Sequence, residues 1–158
     1  MKLYIIFSFF LIISSSFYCQ NNIAANYDFD VRCQGKEMDG TLTLEVFGKG
    51  KNYKDALEQA KKNAVHAVIF KGIKDGSGEC NSDPLLFSSS PETEFETYFA
   101  IFFKDGGEYL NFISLADEKL QIKLKRDAKK SKTVQQRMAV VRVDRLALKN
   151  KLKTDKIN

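Results

Sequence analysis

The cysteines are the residues of this chain whose type and position most clearly suggest chemistry: Cys19, Cys33 and Cys80. Thiols form disulfides in exported proteins and stay reduced in cytosolic ones. The N-terminal residues have the pattern of an export signal, so Cys33 and Cys80 are expected to lie in the exported part and to pair. Closing a loop of this size would stabilise the fold by about 4 kcal/mol on the chain-entropy account. Two separate free thiols are the alternative.

The first residues have the three-part order of a secretory signal. Lys2 supplies a positive charge, residues 3–13 are mostly apolar, and three serines follow. The apolar run is shorter than the roughly 20 residues that a membrane span needs, although an uncleaved anchor is an alternative. We therefore expect a signal peptide at residues 1–19 and a single domain at 20–158, exported to the periplasm or the cell envelope.

The cleavage point leaves more than one outcome open. The small residues Ser14 and Ser16 suit cleavage just after them, and cleavage before Gln20 is the alternative. In a third outcome Cys19 is the lipidated first residue of a bacterial lipoprotein, although Tyr18 stands where such signals have a small residue. The protein would be attached to a membrane, the outer membrane, only if Cys19 is lipidated.

A turn rich in glycine and lysine follows a predicted strand and precedes a predicted helix. It contains Gly48, Gly50 and the cations Lys49, Lys51 and Lys54. A dinucleotide fingerprint would need a third glycine where Tyr53 stands, and a P-loop would need four residues between its glycines and a Gly-Lys-Ser/Thr ending. Neither motif is present, so no cofactor is expected. An anion held by those three lysines at the free helix amides remains a hypothesis beside a plain strand-to-helix turn.

His66 is the only histidine of the chain, and its place near the edge of an apolar helical stripe favours a structural role. Zinc would need three or four ligands with compatible spacing, and a nucleophile triad would need a histidine held by a carboxylate. The sequence brings no such set together. The carboxylates Glu92, Glu94 and Glu96 are interpreted as solvated charges in the first turn of a helix. No catalytic or metal-ligating residue is assigned, and we expect that the protein is not an enzyme.

Charge is unevenly distributed along the chain. Residues 20–118 hold 10 basic and 17 acidic side chains, and residues 119–158 hold 14 and 3, so the two parts carry net charges of −7 and +11. A basic tail on an acidic body indicates either an anionic partner or complementary charges within one fold. Nucleic acid is not expected as a partner, because the tail lacks interleaved aromatic residues.

The glycine turn and His66 both lie in one unit, residues 40–72, and the segment that carries Cys80 follows it directly. Leu42, Leu44 and Val46 alternate with polar residues, as in a strand with one buried face. Asn52 is suited to cap the helix that follows, and Gly72 to stop it. Small residues dominate the apolar stripe of this helix: Ala56, Ala60, Ala64 and Ala67. The pattern predicts a helix that lies close to a sheet.

The other segments complete an α+β pattern. Residues 27–33 predict a strand that turns through 35–40 into the next strand. Ser90 and Pro91 predict the cap and first residue of a second helix, in which aromatic core residues follow at helical spacing: Phe95, Tyr98, Phe99, Phe102 and Phe103. Residues 109–115, 120–124 and 138–143 predict strands, and Asp144 is suited to cap a closing helix. We expect a mostly antiparallel sheet with two to three helices packed on one face.

Residues 46–73, VFGKGKNYKDALEQAKKNAVHAVIFKGI, carry a resemblance. They resemble a group of uncharacterised exported proteins of Bacteroidetes-type bacteria, and more distantly the small envelope-lipoprotein and flagellar-ring-associated domains in which a strand ending in Gly-x-Gly leads into an alanine-rich helix. Residues 140–152 fit the same layout. The resemblance covers about a quarter of the chain and implies a non-enzymatic envelope protein, sometimes part of an oligomeric assembly.

These observations lead to two functional hypotheses. The first is a non-enzymatic exported envelope protein acting as a binding or assembly component, with an envelope protein or a second copy of itself as partner. The alternative is a periplasmic or surface protein that holds an anionic polymer or lipid through its basic residues 119–156.

Overall fold

The computed structural model describes residues 29–116 and 135–157 of the chain. Their strands are β1 (Val31–Lys36), β2 (Leu42–Gly50), β3 (Asp75–Gly76), β4 (Ile113–Leu115) and β5 (Gln135–Val143). They form one sheet in the order β3-β1-β2-β5-β4, in which β1 and β3 are parallel and the other neighbours antiparallel. Four α-helices accompany it: α1 (Tyr53–His66), α2 (Pro91–Glu94), α3 (Glu96–Phe102) and α4 (Arg145–Thr154). The predicted α+β fold with a mostly antiparallel sheet is confirmed.

Helix α1 lies directly on β2, as its small residues predict. Asn52 caps the helix by accepting a hydrogen bond from the Asp55 amide at 3.0 Å, and the Asn52 amide group donates to the Asp55 carboxylate in return. A β-carbon at Gly48 would lie 2.0 Å from the carbonyl oxygen of Ala56. Only a residue without a side chain fits there, so Gly48 sets the distance between helix and sheet.

The buried residues of the helices and the inward face of the sheet form one core. Leu44 and Val46 belong to the same cluster as Phe99 of α3 and Leu148 of α4. The opposite face of the sheet carries polar contacts, such as the hydrogen bond from Gln34 Nε2 to Glu45 Oε2 at 2.9 Å. The helices therefore pack on one face of the sheet, as predicted.

The turn between β1 and β2 starts later than predicted. β1 continues through Gly35 to Lys36, with an irregular register between Cys33 and Gly35, and the chain then reverses before Gly40. The Thr41 amide donates to Asp39 Oδ1 at 2.8 Å, and Gly40 has a positive φ of 88°. The reversal is thus made by an aspartate-stabilised turn rather than by Gly35.

Helix α1 continues into a π-helix at Ala67–Lys71 before Gly72 ends it. Gly72 has a φ of 75°, and its amide donates to the Ala67 carbonyl at 2.8 Å. The stop at Gly72 is confirmed. The wider π-turn was not predicted, because the spacing of apolar residues along the sequence fits a regular helix equally well.

The predicted second helix is broken into α2 and α3 at Phe95, whose φ and ψ are −115° and 32°. Ser90 occupies the N-cap position and Pro91 the first helical position, as predicted, but the Ser90 side chain makes no capping hydrogen bond. The aromatic residues of this region do belong to the core as predicted; Phe99 and Phe103, for example, have ring centroids 6.1 Å apart.

The predicted strands at the C-terminal side have different limits in the structure. Only Ile113–Leu115 of residues 109–115 is a strand, and a 3₁₀ helix, Glu108–Phe112, precedes it. That helix turns Tyr109 fully inward, where its hydroxyl donates to Glu58. β5 begins at Gln135, before the predicted residue 138, and Asp144 caps α4 as predicted. The predicted strand at 120–124 lies outside the described residues.

Candidate functional site

Cys33 and Cys80 are bonded to each other, as predicted, with their α-carbons 5.8 Å apart. Cys33 lies in β1, and Cys80 ends a 3₁₀ helix, Gly78–Cys80. β3 runs parallel to β1 beside the bond, and the Ser77 amide donates to the Cys33 carbonyl at 3.0 Å. The disulfide therefore holds the 75–82 segment against one edge of the sheet. Such a bond is consistent with an exported protein.

A cleft of about 250 Å³ opens beside the disulfide, between the end of β1, the 79–82 segment and the start of α4. Cys80 and Leu42 contribute to its walls, and both are almost fully buried. Six side chains give the cleft its chemistry: Lys36, Asp39, Glu79, Arg145, Leu146 and Lys149. These residues come from three parts of the chain that only the tertiary fold brings together.

Arg145 is held in place at the side of this cleft. The Asp144 carboxylate accepts the Ala147 amide at 2.8 Å and fixes the first turn of α4. Nη2 of Arg145 donates to the Asp83 carbonyl oxygen at 3.0 Å, while its Nε is covered and has no hydrogen-bond partner among the described residues. Lys74 hydrogen-bonds to the Asp83 carboxylate and lowers the pKa of that carboxyl. The guanidinium is thereby anchored on the loop that the disulfide also holds.

The charges in the cleft have both signs, with an excess of positive charge. Lys36, Arg145 and Lys149 line it together with Asp39 and Glu79. The Thr41 amide, by hydrogen-bonding to Asp39, lowers the pKa of the Asp39 carboxyl, so this carboxylate stays ionised. The arrangement can bind an anionic group electrostatically, and it offers an exposed apolar side chain, Leu146, beside the charges.

A second, wider cleft of about 470 Å³ lies on the other side of the β1–β2 turn. Its lining includes the carboxylates of Glu37, Asp39 and Asp144 together with Arg142, whose Nε lies 3.8 Å from Glu37 Oε1. Among the residues that the structure describes, no group of His, Cys, Asp and Glu is arranged to hold a metal ion. Asp39 thus stands between a mainly acidic cleft and the more basic one.

His66 is buried and pairs with a carboxylate that was not expected to have a partner. Its side chain is 4% exposed, and its Nε2 lies 2.7 Å from Oε1 of Glu92. Glu92 is a charge in the first turn of its helix, as interpreted, and its side chain is 45% exposed, but its carboxylate also hydrogen-bonds to the imidazole of His66. Aromatic rings surround the histidine, with ring centroids at 4.7 Å for Phe70 and 5.9 Å for Phe29. The pair joins α1 to α2 inside an aromatic environment.

Replacing Glu92 by glutamine should remove an acid-dependent part of the stability. The His66 hydrogen bond is the main reason that the pKa of Glu92 lies below its usual value of 4.5, while burial opposes the shift. A lowered pKa means that the carboxylate stabilises the fold above 4.5 and that this contribution is lost as the pH falls through the folded-state pKa. Because the side chain is half exposed, we expect only about 1 kcal/mol at neutral pH.

Urea unfolding of wild type and Glu92→Gln, followed from neutral to acidic pH, tests this expectation. The difference between the two proteins should vanish in acid. Glu94→Gln is the matched control, because it removes the same charge from an exposed position of the same helix. An equal pH dependence for Glu92→Gln and Glu94→Gln would contradict the role of the pair.

The lysines of the glycine turn are exposed and lie around the start of α1. Lys49 is in β2, Lys51 in the connection and Lys54 in the first turn of the helix. Gly48 and Gly50 have a packing role there, since a β-carbon on either would meet the backbone of α1 within 2.4 Å. Anion binding by the three lysines stays a prediction.

Sequence analysis did not identify the cleft or the His66–Glu92 pair. Asp144 as a cap places Arg145 and Lys149 one helical turn apart, which is a local signal that could have been used. Lys36 and Glu92 could not have been found in this way, because their partners are distant in sequence and no motif links them.

Cys19, the predicted signal peptide and residues 117–134, which include the first part of the predicted basic region, lie outside the described residues. None of the helices in 29–116 and 135–157 has the length and apolar character needed to cross a membrane. Comparison of the chain with protein-family models, with curated proteins and with solved structures finds no match.

Proposed function

We propose that this protein is a non-enzymatic exported component of the bacterial envelope that acts by binding a partner or by taking part in an assembly. The observation that carries the proposal is the cleft beside the Cys33–Cys80 bond, whose walls are fixed by the disulfide and by the anchored Arg145. Fixed walls favour binding, because little conformational freedom is lost when a partner arrives. The export signal and the disulfide support a location in the periplasm or at the cell envelope.

The environment of His66 supports a binding protein rather than an enzyme. A histidine that serves as a base needs a nucleophile or substrate within hydrogen-bond reach. His66 instead gives its Nε2 to Glu92 and is enclosed by aromatic side chains, and its Nδ1 is buried. Its contacts are those of a residue that holds two helices together.

Photo-crosslinking from α4 tests the proposal. A photoreactive amino acid at position 146 replaces a leucine that is 57% exposed beside the cleft, and the same group at position 101 replaces an isoleucine that is 59% exposed on α3. With envelope fractions, we expect a discrete adduct from position 146 that excess unlabelled protein removes, and none of that size from position 101. Adducts that are absent, or identical from both positions, would count against binding at this end of the molecule.

Binding of an anionic polymer or lipid is the second candidate, and the exposed ridge of α4 favours it. Leu146, Lys149 and Lys153 recur at three- and four-residue spacing on the outer side of the helix, and all three are exposed. The opposite side of α4 is fixed to the protein, since the Tyr98 hydroxyl donates to Asp155 Oδ2 at 2.6 Å. The helix thus presents two cations and one apolar side chain outward from a fixed base.

The substitution Lys153→Gln should weaken binding to anionic vesicles about fivefold, since one lysine near such a surface contributes about 1 kcal/mol to binding. Lys151→Gln is the matched control: it changes the net charge equally, but Lys151 is already paired with Glu108 at 3.0 Å and Asp155 at 3.1 Å. Co-sedimentation with anionic and with neutral vesicles at two salt concentrations measures the binding of both variants and of the wild type. Equal losses for the two variants, or binding that does not weaken with salt, would exclude this candidate.

A further inference from the structure

We propose that the cleft lined by Lys36, Arg145 and Lys149 binds a singly charged carboxylate that carries a small apolar group. This inference rests on the proposed function, binding through this end of the molecule, and adds to it the chemical class of the ligand. A C-terminal residue of a peptide and a small free carboxylic acid share this chemistry.

The charge balance of the cleft favours an anion with one negative charge. Three cationic side chains line it against two carboxylates, those of Asp39 and Glu79, which leaves an excess of one positive charge. A monoanion neutralises that excess. A second negative charge would be repelled by the carboxylate of Asp39, which lies in the lining of the cleft.

The shape and apolar lining of the cleft favour a small ligand with an apolar part. Its volume of about 250 Å³ lies just below the usual range for drug-sized ligands, which begins at about 300 Å³. Leu146 is 57% exposed at the edge of the cleft, beside the charged groups. An apolar substituent on the ligand would remove part of this side chain from water, which a bare inorganic ion cannot do.

The positions of the cationic groups favour a carboxylate acceptor. The guanidinium of Arg145 is planar and already held on one side by the Asp83 carbonyl oxygen, so it loses little freedom when it binds. Lys149 lies one helical turn further along α4, and Lys36, the last residue of β1, lines the same cleft. A carboxylate can accept from several donors at once, and such charge-assisted hydrogen bonds are stronger than neutral ones.

The test uses the mature chain, labelled with ¹⁵N, and three probes: N-acetyl-leucine, its neutral amide and inorganic phosphate. We expect N-acetyl-leucine to shift the amide resonances of Gly40, Ser82 and Leu146, and the neutral amide to bind at least about tenfold more weakly, since it lacks the charge. Phosphate should be the weaker of the two anions. Equal binding of acid and amide, stronger binding of phosphate, or no shift at these residues would overturn the proposal.

Three variants separate the cleft from a general effect of positive charge. Lys36→Gln and Lys149→Gln, both at exposed positions that a folded protein tolerates, should each weaken binding of N-acetyl-leucine about tenfold. Lys104→Gln removes the same charge from an exposed position outside the cleft and should leave this binding unchanged. An equal loss in Lys104→Gln would overturn the assignment to the cleft.

The two proposals fail in distinguishable ways. If the acid does not bind but crosslinking from position 146 persists, the ligand class is wrong and the binding function stands. If neither is observed, the binding function fails as well.

Discussion

Replacing both Cys33 and Cys80 by alanine should lower the free energy of unfolding by about 4 kcal/mol. The two residues are separated by 47 positions in the sequence, so the bond removes much of the freedom of the unfolded chain. Their side chains are also buried, with 4% and 1% exposure, and the loss of sulfur contacts adds to the effect. The cleft should be affected too, because its 79–82 wall is attached to β1 through this bond.

Urea unfolding of the oxidised wild type, the double alanine variant and the wild type reduced in denaturant measures the effect. If the bond itself is responsible, the reduced wild type should lose most of the stability that the double alanine variant loses. Intact mass after alkylation without reductant should show neither thiol modified in the oxidised protein. Two alkylated thiols, or a loss below about 1 kcal/mol, would contradict a stabilising role for the bond.

Replacing Gly48 by alanine should destabilise the protein by at least about 3 kcal/mol, although it adds a single methyl group. The added β-carbon would lie 2.0 Å from the Ala56 carbonyl oxygen and 2.4 Å from the Ala60 amide nitrogen. Both are backbone atoms, so no side-chain rotation relieves the contact. Helix α1 would have to move away from β2, and its buried alanines would lose their contact with the sheet.

Gly78→Ala is the matched control for this substitution. Gly78 is exposed, and a β-carbon there would meet nothing within 4 Å, so the change should be neutral or stabilise by up to about 1 kcal/mol. Thermal and urea unfolding of both variants provide the comparison. Similar stabilities for Gly48→Ala and Gly78→Ala would mean that helix and strand are not in such close contact.

Local patterns were sufficient to predict the unit formed by β2 and α1. The alternation of Leu42, Leu44 and Val46 and the cap at Asn52 depend on neighbours only a few residues away. The same holds for Asp144 and α4. The cysteine pairing was predictable for a different reason: only two cysteines lie well inside the part of the chain expected to be exported.

The features that could not be predicted are those decided by tertiary contacts. Tyr109 lies in a 3₁₀ helix because its ring is buried and its hydroxyl reaches Glu58. Phe95 interrupts a helix that sequence spacing alone would continue. Lys36 and Arg145 line the same cleft although most of the chain separates them, and no local signal encodes that proximity.

The sheet topology also has a consequence for how fast the protein folds. β2 pairs with β1 through a short hairpin, but its other neighbour is β5, so Leu42 lies beside Val143 near the far end of the chain. Joining such distant segments requires a large loop to close before the contact gives any stabilisation, and high contact order of this kind slows folding. We expect β1, β2 and α1 to associate first and the docking of β5 to limit the rate of folding. A chain that lacks residues 135–158 would therefore leave one side of β2 unpaired.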